Sequence, residues 1–169
     1  MKLERTVTVH KPLHEVFAYL SDFTTTTEWD PGTVSMVRTT GDGDVGTVYE
    51  CTSTFAGRQT RLTYVVENLV PNERIALRGE NSTLIAHDIM TFRATRGDQA
   101  GSGDSEAGSA PLGSNTSGVG SATSGTQVTY TADFAFKGIT KFIAPLLKPA
   151  VAKLMNEGVA GLAAALERL

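Results

Sequence analysis

Asp88 is the residue whose chemistry its neighbours make unusual. In the run Leu84-Ile85-Ala86-His87-Asp88-Ile89-Met90-Thr91-Phe92, strand alternation puts it on one side with Leu84, Ala86, Met90 and Phe92. A carboxylate on an apolar wall loses hydration, which raises its pKa and suits it to general acid/base work or to gripping a ligand hydroxyl. The plainer reading is a satisfied Asp at a sheet edge, or one turned to solvent by a bulge between Ala86 and Ile89 that swaps the faces. Tyr49, Tyr64 and Tyr130 share the parity of Asp88 and could donate to a ligand carbonyl; the bland alternative is core packing with a tethered hydroxyl. Trp29 precedes the turn Asp30-Pro31-Gly32, where it either meets a ligand at a cavity mouth or plugs the core.

Other chemistry finds little footing. His10, His14 and His87 are far apart, and none has metal-ligand spacing with another His or Cys, so no metal is expected. Gly41-Asp42-Gly43 lacks the helix and the Lys-Ser/Thr pair of a phosphate loop, so no nucleotide cofactor is expected either. Cys51 falls on the apolar parity and reads as a small buried hydrophobe. Arg58, Arg61, Arg74 and Arg78 read as outward, solvated positions. A net charge of −3 without a Lys/Arg cluster argues against nucleic acid. One cysteine, an N-terminus without an apolar signal core and no membrane-length apolar run point to a cytoplasmic protein.

These residues need a sheet to hold them. Lys2 to His10 alternates as a strand, and Pro12 with Val16, Phe17 and Leu20 predicts a short helix. Phe23 to Trp29, with threonine at 24 to 27, predicts at best a second short one. From Thr33 to Lys137, breaks at Gly41–Gly43, Ala56-Gly57, Pro71-Asn72 and Asn81-Ser82 predict a meander of hairpins. A two-residue loop at Ala56-Gly57 pairs Phe55 with Arg58, Ser53 with Thr60, Cys51 with Leu62 and Tyr49 with Tyr64. Carried onward, one face holds Tyr49, Cys51, Phe55, Leu62, Tyr64, Val66, Ile75, Leu77, Leu84, Ala86, Asp88, Met90 and Phe92. The last strand adds Val128, Tyr130, Ala132, Phe134 and Phe136 to it. Outward Ile85 and Ile89, with Val65 and Ala76, would make an exposed apolar strip able to pair two copies as a homodimer.

The remaining elements are a helix and an interruption. Ile143, Leu147, Val151, Leu154, Val159, Leu162, Ala165 and Leu169 recur at helical spacing, predicting a helix over 139–169 that is on the order of 40 Å long. Pro145 and Pro149 should disturb its first half, and Ala150, Gly158, Gly161 and Ala165 would leave room beneath it. Residues 97–125 turn to Gly, Ser, Thr and Ala with little to bury, predicting a disordered hairpin insertion within one domain spanning 1–169.

This order of elements comes with a series of words: Pro12…Val16-Phe17…Leu20…Asp22…Trp29…Pro31, Gly46-Thr47…Tyr49, Glu67…Pro71…Arg74, Thr91-Phe92 and Gly125-Thr126-Gln127-Val128-Thr129-Tyr130. Together they resemble the START-like, or SRPBCC, superfamily in its polyketide cyclase/dehydrase and lipid-transport branch. The resemblance implies an α+β helix-grip fold: a seven-stranded curved antiparallel sheet wrapped around a long C-terminal helix, two short helices after the first strand, and a hydrophobic cavity. It implies no universal catalytic motif. The expected ligand site combines Trp29, Tyr49, Phe55, Tyr64, Asp88, Met90, Phe92, Tyr130 and Phe134 with Leu147, Val151 and Leu154 of the helix. The expected function is binding of a small hydrophobic molecule, lipid or polyketide-like. The alternatives are a cyclase/dehydrase-type enzyme using Asp88 and a cavity tyrosine as acid and base, and a ligand-free interaction module.

Overall fold

A computed structural model of the protein describes residues 1–55, 57–95, 125–138 and 140–169. The stretch read as a disordered insertion at 97–125 lies outside them, save Gly125, which opens the last strand. Strand β1 (Lys2–Val9) leads into α1 (Leu13–Ser21), a 3-10 turn (Phe23–Thr25) and α2 (Thr26–Trp29). Six strands follow: β2 (Thr33–Thr40), β3 (Val48–Phe55), β4 (Arg58–Val70), β5 (Arg74–Glu80), β6 (Leu84–Thr95) and β7 (Gly125–Phe136). The helix α3 (Thr140–Glu167) closes the chain. The seven strands form one antiparallel sheet in the order β1-β7-β6-β5-β4-β3-β2. This is the expected fold, with the expected pair of short helices after β1.

The register follows from the turns. Phe55 faces Arg58, Cys51 faces Leu62 and Tyr49 faces Tyr64, as a tight β3–β4 loop requires. Gly57 supplies the positive φ (75°) there, and Asn72 (62°) supplies it between β4 and β5. The face-swapping bulge considered for Ala86–Ile89 is absent: β5 and β6 pair without a break from Arg74↔Thr91 to Glu80↔Ile85. The slip lies in β4 instead, between Val66↔Leu77 and Asn68↔Ala76. Asp88 therefore stays on the inner face beside Leu77 and Ala132. On the outer face Ala76 is buried and Val65, Ile85 and Ile89 are partly covered, so these four do not make the exposed strip expected.

One half of the inner face is sealed by the short helices. Val16, Phe17 and Leu20 are buried, with Phe17 edge-on to Phe92 at 5.2 Å and Phe23 edge-on to Tyr49 at 5.7 Å. The other half is crossed by α3, whose buried line is Val151, Met155, Gly158, Leu162, Ala165 and Leu166. That line departs from the expected stripe. Met155 and Leu166 belong to it, Val159 is half-covered, and Leu169 is 43% exposed beyond the helix end. Spacing picks the apolar side of a helix but not what covers each position on it, so Met155 and Gly158, one place off the expected stripe, carry the burial. The two glycines divide: Gly158 lines the cavity and leaves room as expected, whereas Gly161 does not. A Cβ at Gly161 would run into the carbonyl oxygen of Trp29, so this residue brings α3 against α2 rather than leaving a void.

The two ends of the β6–β7 pair differ. At one end Leu84 faces Phe136, from which the chain turns into α3. At the other Thr95 faces Gly125, and a Cβ on Gly125 would sit 2.8 Å from the carbonyl oxygen of Val9.

Candidate functional site

Between the sheet and the first half of α3 lies a cavity of about 500 Å³. Its walls are apolar: Phe55, Leu62, Leu84, Ala132, Phe134 and Phe136 from the strands, and Leu147, Val151, Leu154 and Met155 from α3. Exposed Arg58, Gln59 and Thr83 line its outer end, so it opens at the tips of the β3–β4 and β5–β6 hairpins. Alternation along each strand explains the wall, because one residue in two faces inward.

The inner end is polar. Asp88 is buried and accepts a hydrogen bond of 2.7 Å from the Tyr130 hydroxyl, with the Tyr64 hydroxyl near enough to favour its charged form. Burial pushes the Asp88 carboxyl above the ordinary carboxylate range, and the two tyrosine hydroxyls offset part of that. Burial, and then the Asp88 charge, push Tyr64 and Tyr130 well above the usual phenol value, so both remain neutral donors. The Tyr64 ring lies over Gly79, where a Cβ would stand 2.5 Å from it. Only glycine at the facing position of β5 lets the ring lie there. Trp29 stands edge-on to Tyr130 with centroids 6.2 Å apart, and its indole N–H is buried without a hydrogen-bond partner. Asp30 next to it is occupied by its own turn, accepting from the Gly32 amide and the Thr33 hydroxyl.

Most of the expected site residues meet here. Trp29, Phe55, Tyr64, Asp88, Tyr130, Phe134, Leu147, Val151 and Leu154 all line the cavity. Tyr49, Met90 and Phe92 do not, although their parity was read correctly. Tyr49 packs under Phe23, and Phe92 packs under Phe17. Met90 lines a separate chamber of about 60 Å³ below Trp29 and Tyr130. Parity fixes which face a strand residue takes, not what covers it, and the short helices cover this half of the sheet.

Arg58 corrects another expectation: it faces Phe55 across the hairpin and lies at the cavity rim instead of on the outer face. The signal was present, since directly paired residues share a face. Ser53, Thr60 and Met155 also line the site without having been singled out. Cys51 behaves as expected: it is buried beside Ser53 (3.2 Å), and burial pushes its thiol pKa up, away from nucleophilic character.

Known structures share this architecture. The ZhuI aromatase/cyclase from Streptomyces sp. R1128 superposes with a TM-score of 0.69 at 18% identity, over 99% of this chain and 94% of that one. A START superfamily protein from Mycobacterium smegmatis gives 0.62 at 17% identity, over 98% and 94%. A Thermus thermophilus protein gives 0.66 at 16%, over 99% and 95%. No curated protein matches the chain by sequence. At such identities these likenesses concern the fold alone. The family model for polyketide cyclase/dehydrase and lipid transport, however, matches residues 1–167, and the chain belongs to that family.

Proposed function

We propose that the protein binds a small hydrophobic molecule, lipid or polyketide-like, in the cavity beneath α3, in a cytoplasmic setting suggested by its single buried cysteine. The observation that carries this reading is an apolar hollow of about 500 Å³ with hydrogen-bonding groups gathered at its inner end. A ligand hiding roughly 200 Å² of apolar surface there would gain about 5 kcal/mol from leaving water. The Tyr64 hydroxyl would donate to a ligand carbonyl, and the Tyr130 oxygen, whose proton goes to Asp88, would accept from a ligand hydroxyl.

Trp29 is the chain's sole tryptophan and lines the cavity, so its fluorescence reports occupancy directly. Titration with fatty acids and polycyclic aromatics should quench or shift the emission and raise the Tm. A flat response across such a set, with no apolar molecule co-purifying in native mass spectrometry, would sink the proposal.

The Asp88–Tyr130 hydrogen bond favours a second reading, a cyclase/dehydrase. Here the neutral Tyr64 would polarise a ligand carbonyl while Asp88, oriented by Tyr130, takes a proton from the adjacent carbon. Asp88→Asn should then abolish turnover of a poly-ketone while Trp29 still reports binding; retained turnover removes Asp88 from the chemistry.

A further inference from the structure

The first half of α3 presents two faces of opposite use. Leu147, Val151 and Leu154 turn to the cavity, whereas Phe142 and Leu146, one helical turn apart, are 81% and 77% exposed. Pro145 and Pro149, also four apart, are exposed beside them. The four form one contiguous exposed apolar strip on the helix, and contiguous patches of this kind mark interaction sites where single exposed residues do not. The charge around them is predominantly positive. From Thr140 to Asn156 the sequence carries Lys141, Lys148 and Lys153 and no carboxylate, in a protein whose net charge is −3; Glu157, the next residue, pairs with Lys153 at 3.6 Å, an exposed contact of little strength. The nearby cavity rim adds Arg58, and Glu80 at that end is already held by Lys137 and Arg78.

From this we infer that the outer face of the first half of α3 docks on an anionic lipid bilayer, with Phe142 and Leu146 entering the interface and Lys148 and Lys153 against the headgroups. No helix among the described residues is long and apolar enough to cross a membrane, so the contact is peripheral. Protruding apolar side chains flanked by lysines are what an interfacial helix presents to acidic headgroups. A protein partner fits less well: protein interfaces are depleted in lysine, and these few residues are too small a patch for a stable one. The docking leaves the cavity's open end beside the bilayer. It does not depend on what the cavity holds.

The test is co-sedimentation of the full chain with phosphatidylcholine vesicles, with and without phosphatidylserine. Binding should require phosphatidylserine and weaken as salt rises. Phe142→Ser/Leu146→Ser should reduce partitioning about tenfold or more. Lys148→Ala should reduce it about fivefold at low salt, from the roughly 1 kcal/mol each lysine contributes near such a surface. Both sites are exposed, so unchanged circular dichroism and an unchanged Trp29 response to cavity ligands should accompany the loss. That response also separates this test from the cavity reading. Failure of the wild type to bind either vesicle, or undiminished binding by the double variant, overturns the proposal. So does a wild-type dimer that the double variant converts to monomer without any vesicle binding, which would make this face a self-association surface.

Discussion

Asp88 shows how one side chain can be useful and costly together. Its carboxyl is raised because burial outweighs the help of Tyr130 and Tyr64. Between the unfolded and the folded pKa the native state therefore binds more protons than the unfolded one, and stability falls as pH rises through that window. Below the unfolded value both states are protonated and the cost vanishes. Asp88→Asn keeps an oxygen able to accept from Tyr130 and removes the charge. This variant should accordingly be more stable than wild type at neutral pH, and the two should converge as pH falls through that window, from the raised folded value down to the ordinary unfolded one. Urea melts at several pH values read this out; a gap that widened on acidification would contradict the burial argument. Such a burden makes sense at a place where the group handles a ligand or a proton.

Within α3, two glycines three residues apart do different things. Gly161 meets the Trp29 carbonyl at a distance no Cβ tolerates, whereas a Cβ at Gly158 would find only the Asp30 carboxylate oxygen at 3.6 Å. Helix propensity favours alanine over glycine by about 1 kcal/mol at either position. At Gly158 that gain stands, so Gly158→Ala should be neutral or up to about 1 kcal/mol stabilising. At Gly161 backbone must move against backbone, a cost of about 1–3 kcal/mol that exceeds the gain. Gly161→Ala should therefore lower the Tm and loosen Trp29, seen as a shifted emission maximum even without ligand. The sequence marked both glycines as small residues of one helix, yet their difference depends on where α2 crosses, which no local pattern states. Elements governed by local rules were legible: the Ala56-Gly57 loop set the register that placed Asp88, Tyr64 and Tyr130 together. Elements governed by coverage were not, which is why Tyr49 and Phe92 proved to lie beneath the short helices.

At the scale of the molecule, the sheet has a working end and a splicing end. The cavity opens where Leu84 faces Phe136, while the long interruption joins Thr95 and Gly125 at the opposite end of the same twelve-residue strands. At roughly 3.3 Å per residue the two are more than 30 Å apart along the strands. Replacing residues 97–124 with a short turn should leave the Trp29 ligand response unchanged. It should also stabilise the fold by about 2 kcal/mol, since closing a loop several-fold shorter costs less entropy. A higher urea midpoint with an intact titration curve is the expected result; lost ligand response would mean that the segment takes part in binding.

That separation of ends makes the Thr95–Gly125 junction a convenient socket. A fluorophore, an affinity handle or a whole reporter domain grafted there would be anchored at the opposite pole from the ligand's doorway, and two such grafts could turn the molecule into a sensor without touching its sensing surface.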